Sequence, residues 1–405
     1  MHGAYAGVRI VILTQYFPPE IGAPQTRLAA IAKELSLRGH TVEVVTAMPH
    51  HLEARTYDGY RGKWYCKEQI GGIAVHRSWV YAARGTGVRR MLSYLSFTLS
   101  SLFALAQTKR PDYVFVESPP LFLSVPGWLA ARRHGARLIF NVADLWPDAV
   151  RELGVLRSGL LLSAAEWLEG WTYRRATLVN AVTAGIENDL KTRKKVPASK
   201  LRFLPNGVDV DRFSPTERSH ALAERLRTTG RPVFLYAGTH GIAQGLHHVL
   251  DAAAMYPESF VVFVGSGGEK PGLMSGARQR GLKNVRFVDA VPLDDMPEYF
   301  SIACASIVPL VRSRLHEGAR PSKLFASFAS GVPVIYSGVG EGAALVRDAD
   351  AGIVVEPENP AAMAQAMRTL AQDTALRRRM SVHARSLAVD RFAWSLIVER
   401  WLASL

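Results

Sequence analysis

The sequence predicts an α/β protein built as two wound βα domains. Three observations carry that reading. Strand-type apolar runs alternate with helically spaced apolar residues from residue 9 to 183. The same alternation restarts at residue 233. Between the two lies LRFLPNGVDVDRFSP (201–215), whose Asn-Gly pair and two prolines read as a junction. At 405 residues the chain exceeds one ordinary core, and its 48% hydrophobic content is that of a globular protein.

Residues 9–14 form the first strand, followed by the Pro/Gly loop QYFPPEIGAP. Leu28, Ala29, Ile31, Ala32 and Leu35 then give helical spacing over 25–38, Gly39 ends the helix, and 41–46 is the next strand. This is a βαβ unit opening a parallel sheet, and its first loop lacks the G-x-G-x-x-G of dinucleotide sites. Gly22 in that loop permits close backbone approach to a ligand, and equally suits a plain turn. Residues 112–117, 137–142 and 178–183 continue the strands, with helices between them. Asp144 and Asp148 (ADLWPD) follow the 137–142 strand, where open α/β sheets bind ligands. Asp148 reads as a cap or as a partner of Arg151. Trp167 and Trp171, one turn apart in a helix over 161–178, read as core residues.

In the second half, strand 233–237 runs into Gly238-Thr239-His240-Gly241-Ile242-Ala243-Gln244-Gly245 and then a helix over 246–254. A strand, a glycine loop and a helix start make a phosphate cradle. Strands follow at 259–264, 285–288, 305–310 and 332–336, and a Trp- and Leu-rich helix closes the chain at 391–405. The most informative stretch is RPSKLFASFASGVPVI (320–335): Pro321 suits a first helical turn, Ser322 and Lys323 lie beside it, and Gly331 stops the helix before a strand. Free N–H groups, the positive end of the helix dipole and an ammonium make an anion seat suited to phosphate. Asp209-Val-Asp211 lies in the junction and reads as a turn rather than a metal site. His247-His248 are adjacent and cannot share a helix face as metal ligands.

Net charge is +14 and uneven: residues 1–205 hold 27 Lys and Arg against 15 Asp and Glu, the remainder 22 against 20. A basic half points to an anionic membrane or a phosphorylated acceptor. Nucleic acid is disfavoured, since no helix-turn-helix, zinc-finger or RNP pattern accompanies the charge. Residues 91–107 (MLSYLSFTLSSLFALAQ) carry no charge, are short for a bilayer span, and are flanked by Arg84, Arg89, Arg90, Lys109 and Arg110. They read as a helix in peripheral contact with an anionic membrane. Two distant cysteines, Cys66 and Cys304, and no basic leader before the first strand fit a cytoplasmic protein at the inner face of the plasma membrane.

With two βα domains and phosphate seats in the second, the chain resembles the GT-B architecture, two Rossmann-like βαβ domains facing a central cleft. More narrowly it resembles the retaining family 4 glycosyltransferases. The carriers are QYFPPEIGAPQTRL (15–28), NVADLWPD (141–148), LPNGVDVDRF (204–213), YAGTHGIAQGL (236–246) and RPSKLFASFASGVPVIYSG (320–338). DLWPD, AGTHGIAQGL and PSK together look most like bacterial surface-polysaccharide enzymes, L-fucosamine transferases among them. The resemblance implies an acceptor domain over 1–205, a nucleotide-sugar domain over 206–387, and a tail helix (388–405) returning to the first. It implies a nucleotide-sugar donor, UDP-linked and needing no metal or other cofactor. Gly22, Asn206, Gly238, Thr239, Gly241, Gln244, Arg320, Ser322 and Lys323 would contact that donor. Asp144 and Lys323 would serve the chemistry, with a lipid-linked saccharide as acceptor. Two departures stand out. The family's E-x7-E falls here on Gly318 and Ala326, with Glu317 one residue off, and the Arg and Lys of the glycine loop are replaced by Thr239 and Gln244.

These readings predict retaining glycosyl transfer. Lys323 and helix N–H groups would stabilise the leaving diphosphate, and Asp144 would orient the sugar or take a proton. A nucleotide-sugar epimerase of the same architecture and a non-catalytic partner subunit are the rival readings.

Overall fold

The computed structural model describes residues 7–20, 22–50, 55–83, 87–148, 151, 159–313 and 316–405. Arg84, counted above among the basic flank, lies outside them. The chain falls into two compact units, one comprising residues up to Pro205 together with Val398–Leu405, the other Asn206–Ile397.

In the first unit the order is β1 (Arg9–Leu13), α1 (Ala23–Leu37), β2 (Thr41–Ala47), β3 (Tyr65–Ile70), β4 (Ile73–Ser78), α2 (Val88–Ala106) and β5 (Tyr113–Ser118). There follow α3 (Ser124–His134), β6 (Arg137–Val142), α4 (Gly159–Arg175), β7 (Leu178–Ala181), α5 (Ala184–Thr192) and β8 (Leu201–Phe203). The eight strands lie in the order β3-β4-β2-β1-β5-β6-β7-β8 and pair in parallel except for the antiparallel β3–β4. Both faces of the central strands are covered, so β1, β2 and β5 are buried almost throughout, around Val11, Leu13, Val45, Val114 and Val116. The β3–β4 hairpin turns on Gly71 and Gly72, both at positive φ (56° and 80°), as a two-residue primed turn requires. The tail contributes Trp401, whose indole N–H donates to Asn180 Oδ1 at 3.1 Å and whose ring meets Phe115 edge-on.

The second unit carries α6 (His220–Arg225), β9 (Val233–Ala237), α7 (Leu246–Met255), β10 (Phe260–Val264), α8 (Lys270–Gln279) and β11 (Val285–Val288). Then come α9 (Met296–Ser301), β12 (Ala305–Pro309), α10 (Ser322–Ala329), β13 (Val334–Ser337), α11 (Gly340–Asp348), β14 (Gly352–Val355), α12 (Pro360–Gln372) and α13 (Thr374–Leu387). Helix α14 (Trp394–Leu402) ends the chain. Six parallel strands lie in the order β11-β10-β9-β12-β13-β14. The order reverses direction between β9 and β12, the switch point where such sheets hold ligands. Gly331 (φ 66°) stops α10 as expected: the N–H of Val332 reaches Ser327 O and that of Gly331 reaches Phe328 O. Pro321 precedes the first helical residue rather than filling it.

Some expectations fail on packing. Trp167 is not core: it is 64% exposed on α4, while Trp171 packs edge-on against Trp128. Asp148 does not pair with Arg151. It binds Arg193 at 3.0 Å and Lys194 at 3.1 Å, and Arg151 turns to Glu166. The reason is proximity of α5: its C-terminal cations meet a carboxylate just past β6. In the junction, Asp209 Oδ1 accepts the Arg212 N–H at 3.0 Å, closing a turn.

Candidate functional site

In the second unit the site grows from the carboxyl end of β9. The chain leaves that strand through Gly238, whose φ of 143° suits glycine. A Cβ there would stand 3.2 Å from Cε and 3.7 Å from Nζ of Lys323. The absent side chain is what lets the ammonium settle over the loop. A second glycine loop, after β10, supports the first from behind. Gly238 N–H donates to Val264 O and His240 N–H to Ser266 O, both at 2.9 Å. A Cβ on Gly265 or Gly267 would lie 2.0 or 2.3 Å from the carbonyl oxygens of Gly238 and His240. Two backbones therefore touch, and both loops need glycine.

Lys323 is the second residue of α10, whose first turn no side chain caps. Its ammonium lies close to the Gly238 loop. Nζ sits 4.9 Å from the centre of the Tyr236 ring. Among the described residues no carboxylate forms an ion pair with Lys323, and burial pushes its ammonium down from 10.5 to about 8. The residue as a whole is half-buried and so still reaches solvent. His240 lies fully buried between Tyr236 and Phe263, with neither ring nitrogen hydrogen-bonded. Desolvation, then the charges of Lys270 and Lys323, hold it down to about 4, so it is neutral at physiological pH. Lys270 pairs with Asp289 at 2.7 Å, which leaves Lys323 as the cation without a carboxylate partner, in a setting that strengthens its pull on an anion.

The other expected donor residues take distinct places. Thr239 offers its carbonyl to the Tyr236 hydroxyl at 2.5 Å. Gln244 Oε1 accepts the Gly241 N–H at 3.2 Å and closes the turn Ile242–Gln244, so its amide shapes the loop. Ser322 is exposed at the helix start. Arg320 is drawn away: its Nε lies 2.8 Å from Glu341 Oε2, close but poorly aligned for a hydrogen bond, beside a hollow lined by Asp348, Leu387 and Arg391. Asn206 is half-buried at the head of the unit. Its neighbour Gly207 has no room for a side chain against Phe392, Trp394 and Ile397. Ala326 is half-buried on α10, and Glu317 is exposed, with its carbonyl accepting the Glu341 N–H at 2.7 Å.

In the first unit a polar cluster forms where α1 meets the carboxyl ends of β5 and β6. Gly22 precedes α1, with φ 167° that any residue adopts; a Cβ there would meet Gln25 Oε1 at 2.4 Å. Arg27 of α1 pairs with Glu117 of β5, and Asn141 Nδ2 of β6 donates to the other Glu117 oxygen at 3.0 Å. All three side chains are buried. Arg27 Nη1, Asn141 Oδ1 and both amide atoms of Gln25 are buried without a hydrogen-bond partner in the protein. Desolvation drives the Glu117 carboxyl up to about 7 against the pull of Arg27 and Asn141, with Asp144 pushing the same way. Asp144 lies just beyond. Its carboxyl is raised by the surrounding atoms and lowered by Arg27; because it is exposed, solvent blunts the first effect. Arg27, Glu117, Tyr236 and Lys270 were not singled out from the sequence. For Glu117 a signal exists: an ionisable residue at a strand's carboxyl end, the same cue that marked Asp144. Among the described residues no group of three or more His, Cys, Asp or Glu side chains could hold a metal ion.

Two wound sheets, with a glycine loop and a half-buried lysine at a helix start in the second, make up the fold and its candidate site. Residues 22–207 match the glycosyl transferase 4-like domain and residues 219–387 the glycosyl transferases group 1 domain. The chain is a glycosyltransferase of the GT-B fold. It is 27% identical over 328 residues, 78% of this chain and 80% of the other, to WcaI of Escherichia coli K12, named for colanic acid biosynthesis glycosyl transfer. It is 33% identical over 174 residues, 42% of this chain and 44% of the other, to the D-rhamnosyltransferase WbpZ of Pseudomonas aeruginosa. Among solved structures, Anabaena HepE in complex with UDP and glucose superposes with a TM-score of 0.74 at 19% identity, covering 98% of this chain and 100% of that one. WaaG, a glycosyltransferase involved in lipopolysaccharide biosynthesis, does so with a TM-score of 0.69 at 17% identity, covering 96% and 98%.

Proposed function

We propose that this enzyme transfers a sugar, with retention at the anomeric carbon, from a UDP-linked donor to a lipid-linked saccharide during assembly of a cell-surface polysaccharide. The observation that carries the reading is Lys323: a desolvated ammonium with no carboxylate partner, over a glycine loop and at an uncapped helix start. Such a group is costly in the free protein, and a diphosphate repays that cost by supplying the missing negative charge. As the bond from the anomeric carbon to the diphosphate breaks, charge grows on the leaving oxygen. On this reading Lys323 and the free amides that open α10 receive it. The acceptor hydroxyl attacks from the face the diphosphate leaves, and Asp144 orients the sugar or takes the proton. With Thr239 and Gln244 in place of loop cations, Lys323 carries the charge that other members spread over several groups. This charge supply makes a metal unnecessary, and turnover in excess chelator checks it. The names of WcaI, WbpZ and WaaG support a surface polysaccharide as product, and HepE supports UDP as carrier. DLWPD and PSK favour an N-acetylated deoxyhexosamine such as N-acetyl-L-fucosamine as the sugar.

Calorimetry with UDP on the wild-type chain and on Lys323→Met tests the reading. Binding that drops at least tenfold in the variant supports it; equal binding ends it. Incubation with the donor alone discriminates the rivals: an isomerised nucleotide sugar marks an epimerase. Absence of binding to any nucleoside diphosphate marks a non-catalytic subunit, which Ala326, where the family places a ribose-binding carboxylate, would then explain.

A further inference from the structure

Helix α2 presents an apolar stripe to solvent that its own fold does not cover. Val88, Leu92, Leu95, Leu99, Leu102 and Phe103 recur at helical spacing along one face and are between 41% and 77% exposed. The opposite face, with Tyr94, Phe97, Ala104 and Leu105, is buried on the sheet. Helices of globular proteins are normally apolar on one side only. Beside the stripe, Trp64 and Trp79 are 55% and 40% exposed and stack on each other, ring centres 5.6 Å apart and planes 14° apart. They are held, not loose. Trp79 N–H donates to Trp64 O at 2.9 Å, continuing the β3–β4 ladder. Ser100 Oγ of α2 donates to Trp79 O at 2.5 Å, and Tyr81 N–H donates to Ser96 Oγ at 2.9 Å. Trp64, Trp79, Leu92, Leu95 and Leu99 thereby wall a groove of about 380 Å³.

The surroundings of this patch are basic. Lys63 adjoins Trp64, Lys67 lies on β3, Arg89 and Arg90 open α2, and all four are exposed. Helix α2 contains no acidic residue. An apolar stripe flanked by cations, with tryptophans whose indoles suit a half-wet environment, is the chemistry of a surface that rests on anionic lipid. Among the described residues no helix is long and apolar enough to cross a membrane. That leaves α2 to lie in the plane of the headgroups.

We propose that α2 and the Trp64–Trp79 stack form a bilayer-docking surface, in which Leu92, Leu95, Leu99 and both indoles enter the headgroup–acyl boundary while Lys63, Lys67 and Arg89 meet lipid phosphates. The inference deepens the reading of a lipid-linked acceptor by naming the surface that meets the bilayer, and donor binding by the second unit tests that reading separately.

The test is co-sedimentation of the full chain with vesicles of phosphatidylglycerol mixed with phosphatidylcholine, and with phosphatidylcholine alone. The chain should bind the anionic vesicles, lose binding as salt rises, and bind the neutral ones more weakly. Leu92→Ser with Leu99→Ser, and separately Trp64→Ser, should each lower the bound-to-free ratio at least tenfold. Lys63→Glu with Arg89→Glu should do the same on anionic vesicles only. These positions are exposed, so the melting temperature and UDP binding should stay at wild-type values. UDP binding that persists while vesicle binding is lost separates docking from donor chemistry. Vesicle binding unaltered by the three variants would overturn the proposal. So would failure of the wild type to bind vesicles, or a wild-type dimer that Leu92→Ser with Leu99→Ser turns into a monomer, which would assign the patch to a second copy of the chain.

Discussion

Replacing Lys323 by methionine should make the free protein more stable while removing its ability to hold a diphosphate. Methionine keeps the apolar stem and deletes the charge. Burial lowers the ammonium from 10.5 to about 8. At about 1.4 kcal/mol per unit, that is a penalty of roughly 3 kcal/mol at neutral pH. The contact with Tyr236 returns roughly 1 kcal/mol, so about 2 kcal/mol is the expected gain. For a unit of this size it corresponds to a melting temperature higher by about 4–8 °C. The sign of the pH dependence is fixed. The folded amine loses its proton near pH 8 and the unfolded one near 10.5, so between these values the unfolded chain binds more protons. Wild-type stability therefore rises with pH across that window relative to the variant, and the gap closes toward pH 10.5. Differential scanning calorimetry of both proteins from pH 7 to 10, with and without UDP, reads each part. UDP should raise the melting temperature of the wild type only. A variant less stable than wild type at pH 7, or a gap that does not change with pH, would refute the reasoning that this lysine is desolvated and waiting for an anion.

Other perturbations follow from the same geometry. Gly238→Ala places a methyl 3.2 Å from Lys323 Cε at a φ of 143°, and kcat/KM should fall by at least tenfold in steady-state assays with little change in fold by circular dichroism. Gly265→Ala would set a Cβ 2.0 Å from Gly238 O, and urea denaturation should show a loss of more than about 2 kcal/mol. Arg27→Met should move the acidic limb of the kcat/KM profile to higher pH, because Arg27 lowers the Asp144 carboxyl. Asp144→Asn should abolish that limb, and a limb that stays put in Arg27→Met would leave Arg27 a purely structural residue.

Much of this fold was readable because buried parallel strands announce themselves. The runs at β1, β2, β6, β9 and β10 are mostly apolar, buried nearly throughout, and bounded by nearby glycine or proline. The β3–β4 hairpin was not read, since β3 lies at the sheet edge and its residues are half-buried or exposed, with no clean apolar run. Its Gly71-Gly72 turn was the available cue. The glycine loop and Pro-Ser-Lys, whose roles depend on local backbone geometry, marked the loop and the helix start that meet at Lys323. Other features rest on tertiary neighbours and could not be read from spacing. Arg320 meets Glu341 across 21 positions, Arg27 meets Glu117 across 90, and Trp64 finds Trp79 only once the hairpin is built.

On the proposed reading, Lys323 is the main cation offered to the diphosphate. With Thr239 and Gln244 serving the loop's own backbone, and Arg320 engaged by Glu341, few cations near the α10 start remain uncommitted. A single charge exposed to water would be a weak anchor, since Coulomb energy at 4 Å falls to roughly 1 kcal/mol in bulk solvent. Burying it raises its effect on a bound diphosphate, at the expense of stability when the site is empty. Gly238 permits that burial, Tyr236 stabilises the charge there, and the neutral His240 adds no competing charge. Restoring an exposed arginine at position 239 should therefore improve UDP affinity several-fold in wild type by calorimetry, yet should fail to rescue Lys323→Met. An exposed charge adds long-range attraction, whereas on the proposed reading the partly buried amine supplies the directed stabilisation of the leaving oxygen. Full rescue of turnover by Thr239→Arg would show that any nearby positive charge suffices, and the burial of Lys323 would then have no catalytic meaning.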